Sequence, residues 1–263
     1  MSGVPGARAA RALGPARQVL PPLVLLVALV AAWHAVVVLG EVPAFVLPGP
    51  AAIAEQAVTY AGPISSAALV TGRNAALGLL LGAVLGVLGA VVAAVVRLVD
   101  LLAEPVVAAL SVVPVVALAP VLYAMYGAGS EQARVIVAAL AVLVPVHVTT
   151  LRGLRQVRPV HRDLMRALAA GPVQAAATVT LPTAVPFVFT GLRMAASLAV
   201  ISAIVAEYFG GPRSGIGSFI TTAAAGSHYA QAWAYVLGGV AVGLAFYAVT
   251  ATAEHLVNRR AGA

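Results

Sequence analysis

Residues 74–96 read NAALGLLLGAVLGVLGAVVAAVV, and they decide the fold. From Asn74 to Val96 the run carries no charge. A membrane-spanning helix needs roughly 20 mostly apolar residues, so this stretch predicts a span over about Ala67–Val96. Gly78, Gly82 and Gly86 recur every four residues, with Gly89 beyond them. On a helix they line one face and let a neighbouring backbone come close. Packing is the simplest reading of each.

The pattern repeats outward from this run. Leu20–Leu39 follows Arg8, Arg11 and Arg17. It is longer than a signal-peptide core and no clean cleavage site follows, so a retained anchor helix is expected. Gly40–Ser65 is broken by Pro43, Pro48, Pro50 and Pro63, with Ala51–Tyr60 as a short amphipathic helix inside it. Arg97–Glu104 reads as a short hairpin. A third span is expected over Pro105–Tyr126, broken by Pro114 and Pro120. The fourth falls at Arg134–Thr150, the fifth at Thr183–Ala206 and the sixth at Tyr229–Leu256. A connection marked by proline and glycine, Glu207–Ser227, joins the last two. The longest polar interruption is Leu151–Pro182. There Arg152, Arg155, Arg158, Arg162 and Arg166 recur at helical spacing, although Pro159 interrupts the register. Such a stripe suits a solvated face beside anionic headgroups.

Composition agrees. Hydrophobic residues make up 62% of the 263 residues and charged residues 9%. Soluble domains average about 45–50% and about 25%, and so few charges cannot cover so much apolar side chain in water. The expected fold is an all-α membrane protein of about six transmembrane helices. Its divisions are a cytoplasmic tail over 1–19, a first helix over 20–39, an extracytoplasmic connection over 40–65, a transmembrane domain over 66–256 with a cytoplasmic loop at 151–182, and a cytoplasmic tail over 257–263.

Arginine sets the orientation. All fifteen cations are arginine. With both termini cytoplasmic, eleven of them fall on the inner side: Arg8, Arg11, Arg17, Arg97, the five of the long loop, Arg259 and Arg260. The long segment 18–72, which would face outward, contains none. That asymmetry follows the positive-inside rule. The net charge of +7 therefore marks topology. Without basic residues interleaved with aromatics, the sequence gives no sign of a nucleic-acid groove.

Several chemistries lack their sequence marks. There is no cysteine and no lysine, hence no disulfide, thiolate site or phosphate-loop lysine. No nucleophile elbow or zinc helix occurs. The five histidines, His34, His147, His161, His228 and His255, lie on separate elements without metal-ligand spacing. No catalytic or metal site is expected. Ionisable and polar-tipped residues inside spans are the remaining candidates, because burying charge in lipid is costly. Arg193 in the fifth span either snorkels to the headgroups or makes a helix–helix or gate contact. Glu207, at the far end of the same span, either caps it or faces a pathway. Tyr123, Tyr126 and His147 complete the candidate gate and pathway residues, with interfacial anchoring as the plainer role for the tyrosines.

Counted back from Leu181-Pro182, the long loop resembles the EAA loop of permease subunits of bacterial ABC importers. In that family a Glu-Ala-Ala triplet opens a short helix, a glycine follows, and a Leu-Pro pair closes the motif. The count places Ala169 at the glycine and Asp163-Leu164-Met165 at the triplet, with Arg166-Ala167-Leu168 as the linking residues. Gly171-Pro172 offers an alternative turn. Other segments resemble the sulfonate, taurine and nitrate type of permease: Val46-Leu47-Pro48-Gly49-Pro50, Glu104-Pro105, Val113-Pro114, Ala117-Leu118-Ala119-Pro120, Tyr126-Gly127-Ala128-Gly129, Thr190-Gly191-Leu192-Arg193, Ala206-Glu207 and Ser214-Gly215-Ile216-Gly217. They cover about 44–220 in the family's order.

The resemblance implies a type I ABC importer permease fold in the bacterial inner membrane. It also implies a homodimeric pore, two copies of an ATPase subunit carrying the ATP and Mg, and an extracytoplasmic solute-binding protein. No cofactor is implied in this chain. Asp163, Arg166, Ala167, Ala169, Gly171, Pro172 and Val173 would dock on the ATPase, and Leu181-Pro182 would fix where the loop re-enters the membrane. The resemblance leans toward a sulfonate, taurine or nitrate-like solute. A pyrimidine, riboflavin or phosphonate importer would use the same architecture. An intramembrane enzyme or a self-contained secondary transporter is the reading from another class. The first lacks an arranged nucleophile and base, the second a repeat between halves.

Overall fold

The computed structural model describes residues 16–260, and every regular element among them is helical. Residues 1–15 of the first tail and 261–263 of the last lie outside that description. Helix α1 spans Ala16–Leu39 and α2 Pro50–Thr59. The run that opened the sequence reading lies in α3, Ala61–Val95. Then come α4, Arg97–Val112, and α5, Ala119–Tyr126, followed by α6, Gln132–Arg155. The polar loop holds α7, Pro159–Ala167, and α8, Pro172–Ala175. The last three helices are α9, Leu181–Phe209, α10, Ile216–Ala225, and α11, Tyr229–Arg260.

Five helical segments are long and apolar enough to cross a membrane, and α4 with α5 makes a sixth, broken one. The break is sharp: the two halves differ in direction by 85°. Its cause is Pro114, which has no N–H to donate and pushes Val113 out of the helical region, to φ −65°, ψ 127°. Pro120 does not break the span. It sits in the first turn of α5, where a missing N–H costs nothing. The expected hairpin at Arg97–Glu104 is absent, because α4 starts at Arg97 itself. Helix ends also run further than expected. Residues 61–65 of the 40–65 connection belong to α3, residues 151–155 of the loop to α6, and residues 257–260 of the tail to α11.

The core is where α3, α6 and α9 meet, around Ala75, Val142, Val146, Ala195, Ala199, Val200 and Ala203. Lipid tails are as apolar as leucine, so close backbone approach and dispersion, not water exclusion, hold such an interface. The glycine stripe makes the approach possible. A methyl group on Gly78 would overlap Ala138, one on Gly82 would overlap Ala139 and Val142, and one on Gly86 would lie 2.9 Å from the Leu143 carbonyl oxygen. Packing is thus the role of these glycines. By contrast, no residue of Leu20–Leu39 is buried. Helix α1 meets the rest through α2 and through Trp33, whose ring lies 6.0 Å from that of Trp233 on α11.

Candidate functional site

Three polar regions stand out: the loop between α6 and α9, a fully buried network at the far ends of the spans, and a cavity between α4 and α6.

Pro159 opens α7 at its first turn, where proline is favoured. Nothing in α7 is buried. Arg166 and Asp163 point into solvent and approach each other at 3.4 Å. Val160, Leu164 and Leu168 are also exposed, at 61%, 51% and 64%. Their spacing puts them on one face, and sequence reading, drawn to the arginines, passed over this apolar stripe. The helix ends in a Schellman motif: the Ala170 N–H donates to the Met165 carbonyl and the Ala169 N–H to that of Arg166, both at 3.0 Å. Ala169 takes the left-handed conformation this motif needs, with φ +50°. The turn therefore falls at the counted glycine position. Gly171, offered as an alternative, has an ordinary φ of −67° and only precedes α8.

From Pro172 the chain stays helical through α8, a π turn at Ala176–Thr180, and α9, to Phe209. Leu181-Pro182 was expected at the point of membrane re-entry. The pair lies within this continuous rod, with Leu181 directly after the π turn and Pro182 next to it in the first turn of α9.

At the other end of the rod Glu207 is 1% exposed. Its carboxylate accepts from the Gly217 N–H at 2.9 Å and from the Thr71 hydroxyl at 2.9 Å, and Thr71 in turn accepts from the Ile216 N–H. Glu207 therefore caps the N-terminus of α10, a placement the helix dipole favours. Arg134, fully buried on α6, lies 3.9 Å from Glu207. It also donates to the Tyr123 hydroxyl, the Ser214 hydroxyl and the Pro212 carbonyl. The Tyr123 hydroxyl reaches the Ala206 carbonyl at 3.2 Å. Five elements are tied together, with no ion left unpaired. Arg134, Thr71 and Ser214 were missed in the sequence, where Arg134 stood only at the edge of the fourth span. Tyr126 is not part of this cluster and is exposed at the end of α5.

Arg193 makes a helix–helix contact. It reaches Glu254 on α11 at 2.9 Å, and the other carboxylate oxygen accepts from Thr190 at 2.6 Å. His147 faces elsewhere, into a cavity of about 550 Å³ between α4 and α6. Gly89 leaves room for its ring, since a methyl there would lie 3.2 Å from Nδ1. Asp100, Glu104, Arg152, Arg155 and Gln156 also line this space.

Residues 78–262 match the family model of the binding-protein-dependent transport system inner membrane component. The chain belongs to this family. Among curated relatives, a probable ABC transporter permease protein of Haemophilus influenzae is 30% identical over 230 residues, 88% of this chain and 93% of that one. The riboflavin transport system permease protein of Chloroflexus aurantiacus is 37% identical over 76% of this chain and 75% of its own. A putative aliphatic sulfonates permease of Bacillus subtilis is 30% identical, over 76% of this chain and 73% of its own. Among solved structures, the crystal structure of an amino acid ABC transporter with histidines superposes with a TM-score of 0.62, covering 77% of this chain and 96% of that one at 16% identity. This likeness speaks for the fold. The permease is thus a multi-pass, non-enzymatic inner-membrane subunit of an ABC importer, working with a separate ATPase and a solute-binding protein. The enzyme and secondary-transporter readings fall away.

Proposed function

We propose that two copies of this permease form a pathway for a small organic solute. Two ATPase subunits, each holding ATP and Mg, drive it through the α7–α8 loop, and both termini lie in the cytoplasm. One observation carries the coupling role: an exposed helix with an apolar stripe and a solvated Asp163–Arg166 pair, followed through the Ala169 turn by a rod that runs unbroken into span α9. An amphipathic helix laid into a groove is a common recognition mode, and a helix continuous with a span passes displacement into the membrane. ATP binding shifts the permease between states only insofar as the ATPase favours one of them.

For the solute, the permease's likeness to sulfonate, taurine and riboflavin permeases supports a small solute, with an organosulfonate as the leading class and a taurine-like zwitterion or a nitrate-like anion beside it. Co-expression with its ATPase tests the coupling role. A charged insert replacing residues 169–172 abolishes co-purification and binding-protein-stimulated ATP hydrolysis. Retention of both would sink the assignment.

A further inference from the structure

The cavity between α4 and α6 has a composition that packing does not explain. Along α6, His147 lies eight residues before the end at Arg155, or about 12 Å of helix. Along α4, Glu104 lies seven residues after Arg97, about 10 Å. Ionisable side chains on membrane-spanning helices face a bundle interior or a water-filled space and mark solute routes. Of the lining charges, Asp100 and Arg155 pair with each other at 2.6 Å. That leaves one acid and one base, Glu104 and Arg152, both exposed and without an ion pair among the described residues. His147 and Gln156 add groups that can donate or accept. None of α4 is buried, so this wall of the cavity is open to whatever lies across from it.

An unpaired acid on α4 and an unpaired base on α6, lining one cavity, suit a ligand that carries both signs. A simple anion would satisfy Arg152 and be repelled by Glu104. A ligand with an ammonium and an oxyanion a few ångströms apart would satisfy both. From this geometry we infer a binding site for a small zwitterionic solute, with Glu104 meeting the ammonium, Arg152 the oxyanion, and His147 and Gln156 the remaining polar groups. The inference rests on the pathway reading above and narrows its solute class. The zwitterionic headgroup of phosphatidylethanolamine offers the same chemistry.

Binding to the purified permease–ATPase complex tests this, using pairs that differ only in the ammonium: β-alanine against propionate, and homotaurine against propanesulfonate. The zwitterion of each pair binds roughly tenfold tighter or more. Glu104→Gln brings the ratio close to one by weakening the zwitterion and relieving the repulsion of the simple anion, whereas Arg152→Gln weakens both members. A fold defect would lower all affinities together and leave the ratio unmoved. Equal binding of the two members, no binding, or a ratio indifferent to Glu104→Gln overturns the site. Repeating the measurement in phosphatidylethanolamine and phosphatidylglycerol nanodiscs separates the sources. A solute site binds the probes in both, and loss in phosphatidylethanolamine alone overturns the assignment to a solute. ATPase association in the same samples reports on the coupling role independently, so either idea can fail alone.

Discussion

Ala169 sits where the backbone asks for glycine. Its φ of +50° lies in the left-handed region, which costs an L-residue roughly 1–2 kcal/mol. Ala169→Gly relieves that strain at a site whose hydrogen bonds are already made. Hydrogen exchange at positions 169 and 170 slows by roughly fivefold if about 1 kcal/mol returns to the turn. Unchanged or faster exchange would show that the turn is not strained. Arg134 poses the opposite case, a charge whose removal is felt at once. Arg134→Met leaves Glu207 buried with its ionic partner gone, a change worth about 3–5 kcal/mol. The double variant Arg134→Met, Glu207→Gln recovers a large part of that. Thermal unfolding in detergent reads both, and equal losses for single and double variants would count against the ion pair. Counting back from Leu181-Pro182 put Ala169 at the turn, but the role of Arg134 was not legible from the sequence. Nothing local to Ala169 announces a positive φ. Arg134 looked like a flanking cation because its partners, Tyr123 on α5 and Glu207 at the end of α9, are distant in the chain.

The helices were more legible than their joints. Length and apolarity located the spans because no water competes for backbone hydrogen bonds in lipid. The glycine period gave the α3–α6 interface because only a missing side chain admits a backbone so close. Joints depend on finer balances. Pro114 and Pro120 look alike in the sequence, but one ends a helix and the other starts one, and the 85° bend follows from the first alone. The π turn before Leu181 left no mark that a reading for Leu-Pro motifs could use. On α7, apolar spacing was the overlooked signal. If Val160, Leu164 and Leu168 form the docking face, Leu164→Ser weakens ATPase association by roughly tenfold. Arg158→Gln, outside that face, changes it little. Titration of purified subunits decides, and the reverse ranking would hand the docking to the charged face.

For the molecule as a whole, the arginine asymmetry makes one claim that the helices themselves do not, namely which side is in. A cytoplasmic-active reporter fused after Arg260 is active and an export-dependent one silent, and the opposite pair of signals would invert the topology. What stayed hidden at this scale is how the charged positions pair. Arg155 counts equally toward topology whether free or bound to Asp100. Counting charges orients a chain without saying which charges meet. The π turn at Ala176–Thr180 has a different kind of consequence. It is one residue of slack in a helical rod. Deleting Val179 would let the turn close as ordinary α-helix, and because the turn only absorbs one extra residue, α7 and α8 would keep nearly their phase and their distance from the span. The rod would keep its length and the loop its sequence, and the apolar stripe would still face its groove. Such a variant should insert, fold and engage its ATPase much as before, and lost docking would show that the slack itself is needed, like the play in a gear train.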